Sequence, residues 1–275
     1  MEELSLDLAS GRVQAVAHGP VDAPLVLCLH GLSANARAWD FLGERLAGEG
    51  RRAVALDLRG RGLTEATPPG SYGLPAHAAD VLAAANALGA ETFDVAGWSM
   101  GALIGILAAS TAAGRLRRLV LIDHAGRMDE SAVSVVRAGL DRLDTIVADP
   151  DEHVAAVRAA GGIERWSEQW DAVYRRELRR AEEGRWIART SRAACEEDLE
   201  DMLARDWNAA WRPLAMPTLL VRSTRPIEGG FIVPADQRDG LAAAGADVTV
   251  VEVDATHSDV MTAPETWTAV GGHLA

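Results

Sequence analysis

The chain has 275 residues, 48% of them hydrophobic, and a formal net charge of −13. That length and apolar content suit one large core and speak against a disordered or repeat chain. The negative balance speaks against a nucleic-acid or anionic-membrane surface, which needs clustered basic residues, and leaves neutral or cationic small molecules open. The N-terminus, Met1-Glu2-Glu3-Leu4, lacks a basic region followed by an apolar one, so no signal peptide is expected, and no apolar run reaches membrane-spanning length. Cys28 lies in an apolar run and Cys195 in a charged helical stretch. Both are expected to be free thiols, in keeping with a cytoplasmic location.

In chain order, 4–8 and 12–17, joined through Ser10-Gly11, predict a β-hairpin at a sheet edge. Residues 24–29 form a continuous apolar run, the mark of a strand buried on both faces, and end in His30-Gly31-Leu32-Ser33. His30 reads as structural, fixing its loop. Residues 36–50 are helical by period. A second buried strand, 52–58, leads into Asp57-Leu58-Arg59-Gly60-Arg61-Gly62, read as a loop held by an Asp or Arg hydrogen bond. An Ala-rich helix is predicted over 75–89, with Pro at its start and Gly at its end.

The apolar run from Phe93 breaks at Gly97-Trp98-Ser99-Met100-Gly101 and resumes as 102–109, which reads as strand, sharp turn, helix. A serine at such a turn takes a strained conformation that lifts its hydroxyl into the open, and the flanking glycines let strand and helix approach closely. The amide of Met100 then starts a helix, where N–H groups are unpaired and the dipole favours negative charge. A loop at Leu32 beside this turn would aim a second N–H at the same point, forming an oxyanion hole. The next strand, 118–122, ends at Asp123-His124-Ala125-Gly126. Alternating strand and helix imply an α/β fold with a parallel sheet, whose sites gather at the carboxyl ends of the strands.

From 127 to 213 the chain reads as helical and highly charged, without a strand, and holds five of the eight tryptophans: Trp166, Trp170, Trp186, Trp207 and Trp211. Such an insertion can lie over the carboxyl end of the sheet as a lid. Trp166 and Trp170, four apart, would share a helix face. Most of the five are expected in the insertion's own core, with one or two facing a ligand; Trp186, together with Trp98 beside the serine, is the candidate substrate contact. The sheet resumes at 217–221. After an irregular stretch come a helix over 235–244, the last strand over 248–253, His257 just past it, and a closing helix from Pro264. His257 is the natural base for Ser99.

With His30-Gly31, Asp57-x-Arg59-Gly60-x-Gly62, Gly97-x-Ser99-x-Gly101 and a late His257 in this order, the chain resembles the α/β-hydrolase superfamily along nearly its whole length. The resemblance implies a mostly parallel sheet flanked by helices, with 1–126 and 213–275 as the core and 127–212 as a helical cap. It implies Ser99 as nucleophile, His257 as general base and then acid, an oxyanion hole from the N–H groups of Leu32 and Met100, and neither metal nor cofactor. The third member departs from the usual pattern. Relatives usually carry an Asp a few residues past the strand that here is 217–221, where this chain reads Arg222-Ser223-Thr224-Arg225-Pro226. The substitutes are Asp123 and Glu228. Asp123 is preferred, because a strand end holds a carboxylate more rigidly than a glycine-flanked loop. Asp254 and Asp259 are too close in sequence to His257 to be easy partners. The expected activity is hydrolysis of a small apolar carboxylic ester or lactone through an acyl-enzyme. Amide or carbon–carbon bond hydrolysis, cofactor-free perhydrolysis and a non-catalytic receptor remain alternatives, and a homodimer is left open.

Overall fold

The computed structural model describes residues 1–112, 114–244 and 247–275. Strands β1 (Glu2–Leu8) and β2 (Gly11–His18) form the antiparallel hairpin, and Gly11 turns it at φ +122°. There follow β3 (Leu25–Leu29), α1 (Asp40–Gly48), entered through a 3-10 turn at Ala36–Trp39, β4 (Arg52–Leu56), α2 (Leu74–Ala87), β5 (Phe93–Trp98), α3 (Met100–Thr111) and β6 (Leu116–Ile122). The next segment contains α4 (Glu130–Ala138), α5 (Pro150–Ala159), α6 (Glu168–Arg176), β7 (Leu178–Arg180), β8 (Trp186–Ala188), α7 (Arg192–Ala204) and α8 (Trp207–Trp211). The chain closes with β9 (Thr218–Ser223), α9 (Ala235–Ala244), β10 (Val248–Val253) and α10 (Pro264–Leu274).

The eight-stranded sheet has the order β1-β2-β4-β3-β5-β6-β9-β10 and is parallel from β4 to β10, with β2 antiparallel to both its neighbours. Strand periodicity sends successive side chains to opposite faces. Leu25, Leu27 and Leu29 of β3 join the core with Val81 of α2 and Leu103 of α3, while Val26 and Cys28 join Leu42 and Leu46 of α1 and Val270 of α10. Both faces are thereby covered, which is why β3 to β6 read as apolar runs. Cys28 and Cys195 are free and buried, and burial pushes the Cys28 thiol up. No helix among the described residues is long and apolar enough to cross a membrane.

The segment between β6 and β9 differs from its sequence reading in three ways. Two strands interrupt it, β7 and β8, paired antiparallel across a tight turn in which Glu183 has φ +56°. At three residues each they are too short to print a period of two. Trp166 precedes α6 rather than sharing its face with Trp170; the two meet instead through Tyr174, with ring centroids at 5.7 and 6.5 Å. Trp207 and Trp211 of α8 pack into the main core, where Trp211 Nε1 donates to the Ala125 carbonyl at 2.7 Å.

Carboxylates of α7 fasten this segment to the sheet domain. Glu197 accepts from the N–H groups of Gly70 and Tyr72, Asp198 from Gly73 at 2.7 Å, and Asp201 from Leu74 at 2.8 Å, at the start of α2, where N–H groups lack helical partners. Asp198 is fully buried and lies 2.6 Å from Arg61 Nη2 and 3.0 Å from His77 Nε2. Burial raises its carboxyl, but the His77 hydrogen bond and the Arg61 charge outweigh it and hold the pKa at about 2. A group depressed in this way stabilises the fold above its unfolded value, near 3.9, and loses that contribution as pH falls through the folded value. The contribution, on the order of 2 kcal/mol, therefore disappears between about pH 4 and pH 2. Asp198→Asn should lower the thermal midpoint at pH 7, and its deficit against the unmutated protein should shrink across that window. Parallel midpoint curves for the two proteins would show that this carboxylate does not titrate with folding.

Candidate active site

Five adjacent parallel strands, β3, β5, β6, β9 and β10, deliver Leu32, Ser99, Asp123, Ser223 and His257 to one edge of the sheet. Ser99 follows β5 directly and takes φ +55°, a left-handed value that costs a non-glycine residue about 1–3 kcal/mol. The turn is held by Ser99 N–H donating to the Ile122 carbonyl at 2.9 Å and by Ala102 N–H donating to the Ser99 carbonyl at 2.9 Å. A Cβ on Gly97 would lie 2.2 Å from the Gly101 carbonyl oxygen, and one on Gly101 2.1 Å from that of Leu29. Only glycines allow α3 to start so close to β3 and β5.

His257 Nε2 lies 3.0 Å from Ser99 Oγ, and its Nδ1 lies 2.8 Å from Asp123 Oδ2. Asp123 directly follows β6 at φ +49° and is wholly buried. Its second oxygen accepts from Ser223 N–H at 2.8 Å, and Oδ2 also accepts from Ser223 Oγ at 2.6 Å. Burial raises the Asp123 carboxyl, but the bonds from His257 and Ser223 outweigh it and hold it below the ordinary range, so it is an anion. Topology explains the arrangement. β9 lies between β6 and β10, so a carboxylate from β6 must reach across β9 to His257, and the small Ser223 leaves the room and supplies two donors. Glu228 is exposed on its loop at φ +46° and makes no contact with His257. Asp254 pairs with Arg225, and Asp259 accepts from the N–H groups of Glu164 and Arg165.

Loss of the Ser223 hydroxyl leaves Asp123 one donor short. Ser223→Ala should lower kcat roughly tenfold with little change in KM, in line with a hydrogen bond to a charged group, and Ser223→Thr should restore it. Equal rates for Ala and Thr variants would separate Ser223 from the carboxylate's function.

The loop after β3 is held just as closely. His30 is buried and neutral, since burial depresses its pKa to about 3; Nδ1–H donates to the Gly31 carbonyl at 2.7 Å, and Nε2 accepts from Leu58 N–H at 3.1 Å. The buried Arg61 donates through Nε to the Leu32 carbonyl at 3.0 Å, and Asp57 accepts from the N–H groups of Ala36 and Leu63. The loop presses on the turn at Ser99, for a Cβ on Gly31 would lie 3.2 Å from Ser99 Cβ. Among the described residues, the N–H groups of Leu32 and Met100 have no protein acceptor, and Met100 is the first residue of α3. Two free donors beside a serine suit a developing oxyanion.

A sequence profile described as the alpha/beta hydrolase fold matches residues 24–264. The chain belongs to the α/β-hydrolase family. N-formylmaleamate deformylase of Pseudomonas putida is 39% identical to this chain over 127 residues, 44% of this chain and 47% of that protein. The 3-hydroxybutyrate-oligomer hydrolase of Cupriavidus necator is 32% identical over 122 residues, 44% of this chain and 41% of that one. The chain thus spans about half the length of the curated relatives it matches. In fold, it is similar to E-2-(acetamidomethylene)succinate hydrolase, with a TM-score of 0.88 at 22% identity over 99% of this chain and 98% of that one. It is also similar to the enol-lactonase of Burkholderia xenovorans, at 0.73 and 20% over 98% and 99%.

Above Ser99 lies a cavity of about 240 Å³, roofed by the segment between β6 and β9. Its walls are largely apolar: Trp98, Val136, Leu140, Val157, Trp170 and Val173, with Ser33, Arg142, Tyr174 and His257 as polar members. Trp98 fastens His257, donating through Nε1 to its carbonyl at 3.0 Å, and its ring lies 6.0 Å from that of Trp170. Trp186 is not in this wall: it pairs with Val147 at the small hairpin and lies 4.5 Å beneath the Arg180 guanidinium. The aromatic expected there is supplied by Trp170, because α6 lies over the turn at Ala36–Trp39 and Asn35 Nδ2 ties it down through the Val173 carbonyl at 2.8 Å. A ligand in the cavity should quench Trp170, and Trp170→Phe should remove most of the binding-induced fluorescence change, whereas Trp186→Phe should not. The reverse result would return the ligand contact to Trp186.

Sequence reasoning passed over Arg142, Tyr174 and Ser223. Arg142 is one of many arginines in a charged segment, so nothing in the string sets it apart. Ser223 did carry a signal, since it stands where a carboxylate was sought. His124, beside Asp123, is buried and neutral, its pKa lowered to about 3 by burial and by the nearby His257.

Proposed function

We propose that this α/β hydrolase cleaves a carboxylic ester or lactone through an acyl-enzyme. The hydrogen-bonded chain from Ser99 through His257 to Asp123, opening on a small cavity, carries the reading. His257 Nε2 takes the Ser99 proton as Oγ attacks the carbonyl carbon, and Asp123 holds Nδ1–H and stabilises the imidazolium. The carbonyl oxygen, now negative, turns to the N–H groups of Leu32 and Met100. His257 then gives the proton to the leaving alkoxide, and water repeats the sequence to free the acid. Residues 127–212 act as a lid that excludes bulk water, which strengthens each of these interactions.

A specific observation favours a second reading, hydrolysis of a C–N bond: the relative 39% identical over 127 residues is a deformylase of N-formylmaleamate. The same triad serves both, the difference being protonation of an amine rather than an alkoxide. Purified protein tested on 4-nitrophenyl esters, γ- and δ-lactones and N-formyl amides decides. Higher kcat/KM on esters or lactones is expected. Turnover confined to the N-formyl amides would replace the ester reading, and binding without turnover on any of them would make the protein a receptor of this fold.

A further inference from the structure

We propose that the substrate carries a free carboxylate and that Arg142 receives it. The proposal rests on the hydrolytic reading above and narrows its substrate class. Arg142 is the one guanidinium lining the cavity among the described residues. It is anchored from behind: Glu177, with no exposed surface, lies 3.1 Å from Nη2 and is itself held by His153 Nε2 at 2.7 Å. Nη1 donates to the Gly139 carbonyl at 2.8 Å, and Nη2 reaches the carbonyl and hydroxyl of Ser33 at 3.3 and 3.2 Å. Of the five N–H groups of a guanidinium, the one on Nε and one on Nη1 have no protein acceptor among the described residues. The Tyr174 ring lies 5.7 Å from the guanidinium carbon, and burial pushes its hydroxyl up to about 12, so it stays a neutral donor.

A wholly apolar acyl group would leave the buried Nε–H and the spare Nη1–H without an acceptor, which costs free energy; a carboxylate completes the pairing with a charge-assisted bond. The chain's net charge describes its outer surface and does not decide the matter inside a pocket, where Arg142 is the cation in the lining and the Glu177 and Asp123 carboxylates lie outside it. Arg142 grips Ser33, the residue after the Leu32 donor, so the carboxylate sits few bonds from the carbonyl under attack. The class is therefore a half-ester or half-amide of a short dicarboxylic acid, or a lactone bearing a carboxylate. In the reaction Ser99 Oγ bonds to the acyl carbon as the bond to the alcohol or amine breaks, the Ser99 proton leaves with that group through His257, and water releases the dicarboxylate. The carboxylate on Arg142 is unchanged throughout.

The test compares 4-nitrophenyl hemisuccinate with its neutral shape analogue, 4-nitrophenyl 4-methylpentanoate. The unmutated protein should prefer the hemisuccinate in kcat/KM at least tenfold. In Arg142→Met/Glu177→Gln, which removes both charges and strands neither, that ratio should fall by about 10- to 100-fold, the scale of a hydrogen bond to a charged group. Preference for the neutral ester, or a ratio unchanged in the double variant, overturns the proposal while hydrolysis stands. If neither ester turns over, the ester reading falls, and succinate titrated against tryptophan fluorescence judges the carboxylate site by itself: saturable binding lost in the double variant supports it, and no binding overturns it.

Discussion

Ser99→Ala is expected to lower kcat by about 10⁴- to 10⁶-fold on any substrate the unmutated protein turns over, while the fold and ligand affinity stay nearly unchanged. The substitution removes one oxygen. The hydroxyl accepts no structural duty beyond its 3.0 Å contact with His257, and the turn is held by backbone bonds to Ile122 and Ala102 that alanine keeps. Alanine does inherit the left-handed φ of +55°, a strain serine already bears, so stability should change little. Circular dichroism and a ligand titration of the mutant separate a lost nucleophile from a lost fold. A mutant within tenfold of the parent would remove Ser99 from the mechanism.

Asp123→Asn should cost about 10³- to 10⁴-fold in kcat, with binding almost unaffected. The amide keeps the shape, so Ser223 N–H still finds an oxygen, but its NH₂ group is a donor where Nδ1–H of His257 requires an acceptor. Either His257 adopts the wrong tautomer or the contact breaks, and in both cases no negative charge faces the imidazolium. Glu228→Gln should stay within twofold of the parent, since Glu228 is exposed on a separate loop. A strong loss in Glu228→Gln with a normal Asp123→Asn would reverse the assignment. Modest losses in each, followed by near-complete loss in the double mutant, would show that either carboxylate can take the role.

Much of this was legible in the string because it depends on local rules. The runs 24–29 and 93–96 announce strands covered on both faces, and Gly97-x-Ser99-x-Gly101 announces a turn that only glycines can close against a helix. The order of the strands then gathers Leu32, Ser99, Asp123 and His257 at one edge, since parallel strands all end on the same side. His30 as a loop anchor follows from the same logic, a histidine beside a glycine turn, whereas its donor, Leu58 N–H, comes from 28 residues away.

What required tertiary structure was whatever depends on which distant segments meet. Asp123 was already preferred to Glu228 because it stands at a strand end; that its carboxylate reaches His257 across β9, which lies between β6 and β10, with Ser223 bridging, is carried by neither chain distance nor residue type. Trp170 rather than Trp186 faces the cavity because α6 is tied down at Asn35, 138 residues away in sequence, while Trp186 closes a hairpin too short to show a period. Arg142 becomes a pocket cation only when Glu177 and Ser33 are brought to it from 35 and 109 residues away. Local propensity and periodicity act within about ten residues, so the sequence by itself determined the strands of the large sheet, the turn at Ser99 and the likeness to the α/β-hydrolase family; the short β7–β8 pair and the partners of the long, charged side chains were decided by packing, which alone sets their distances.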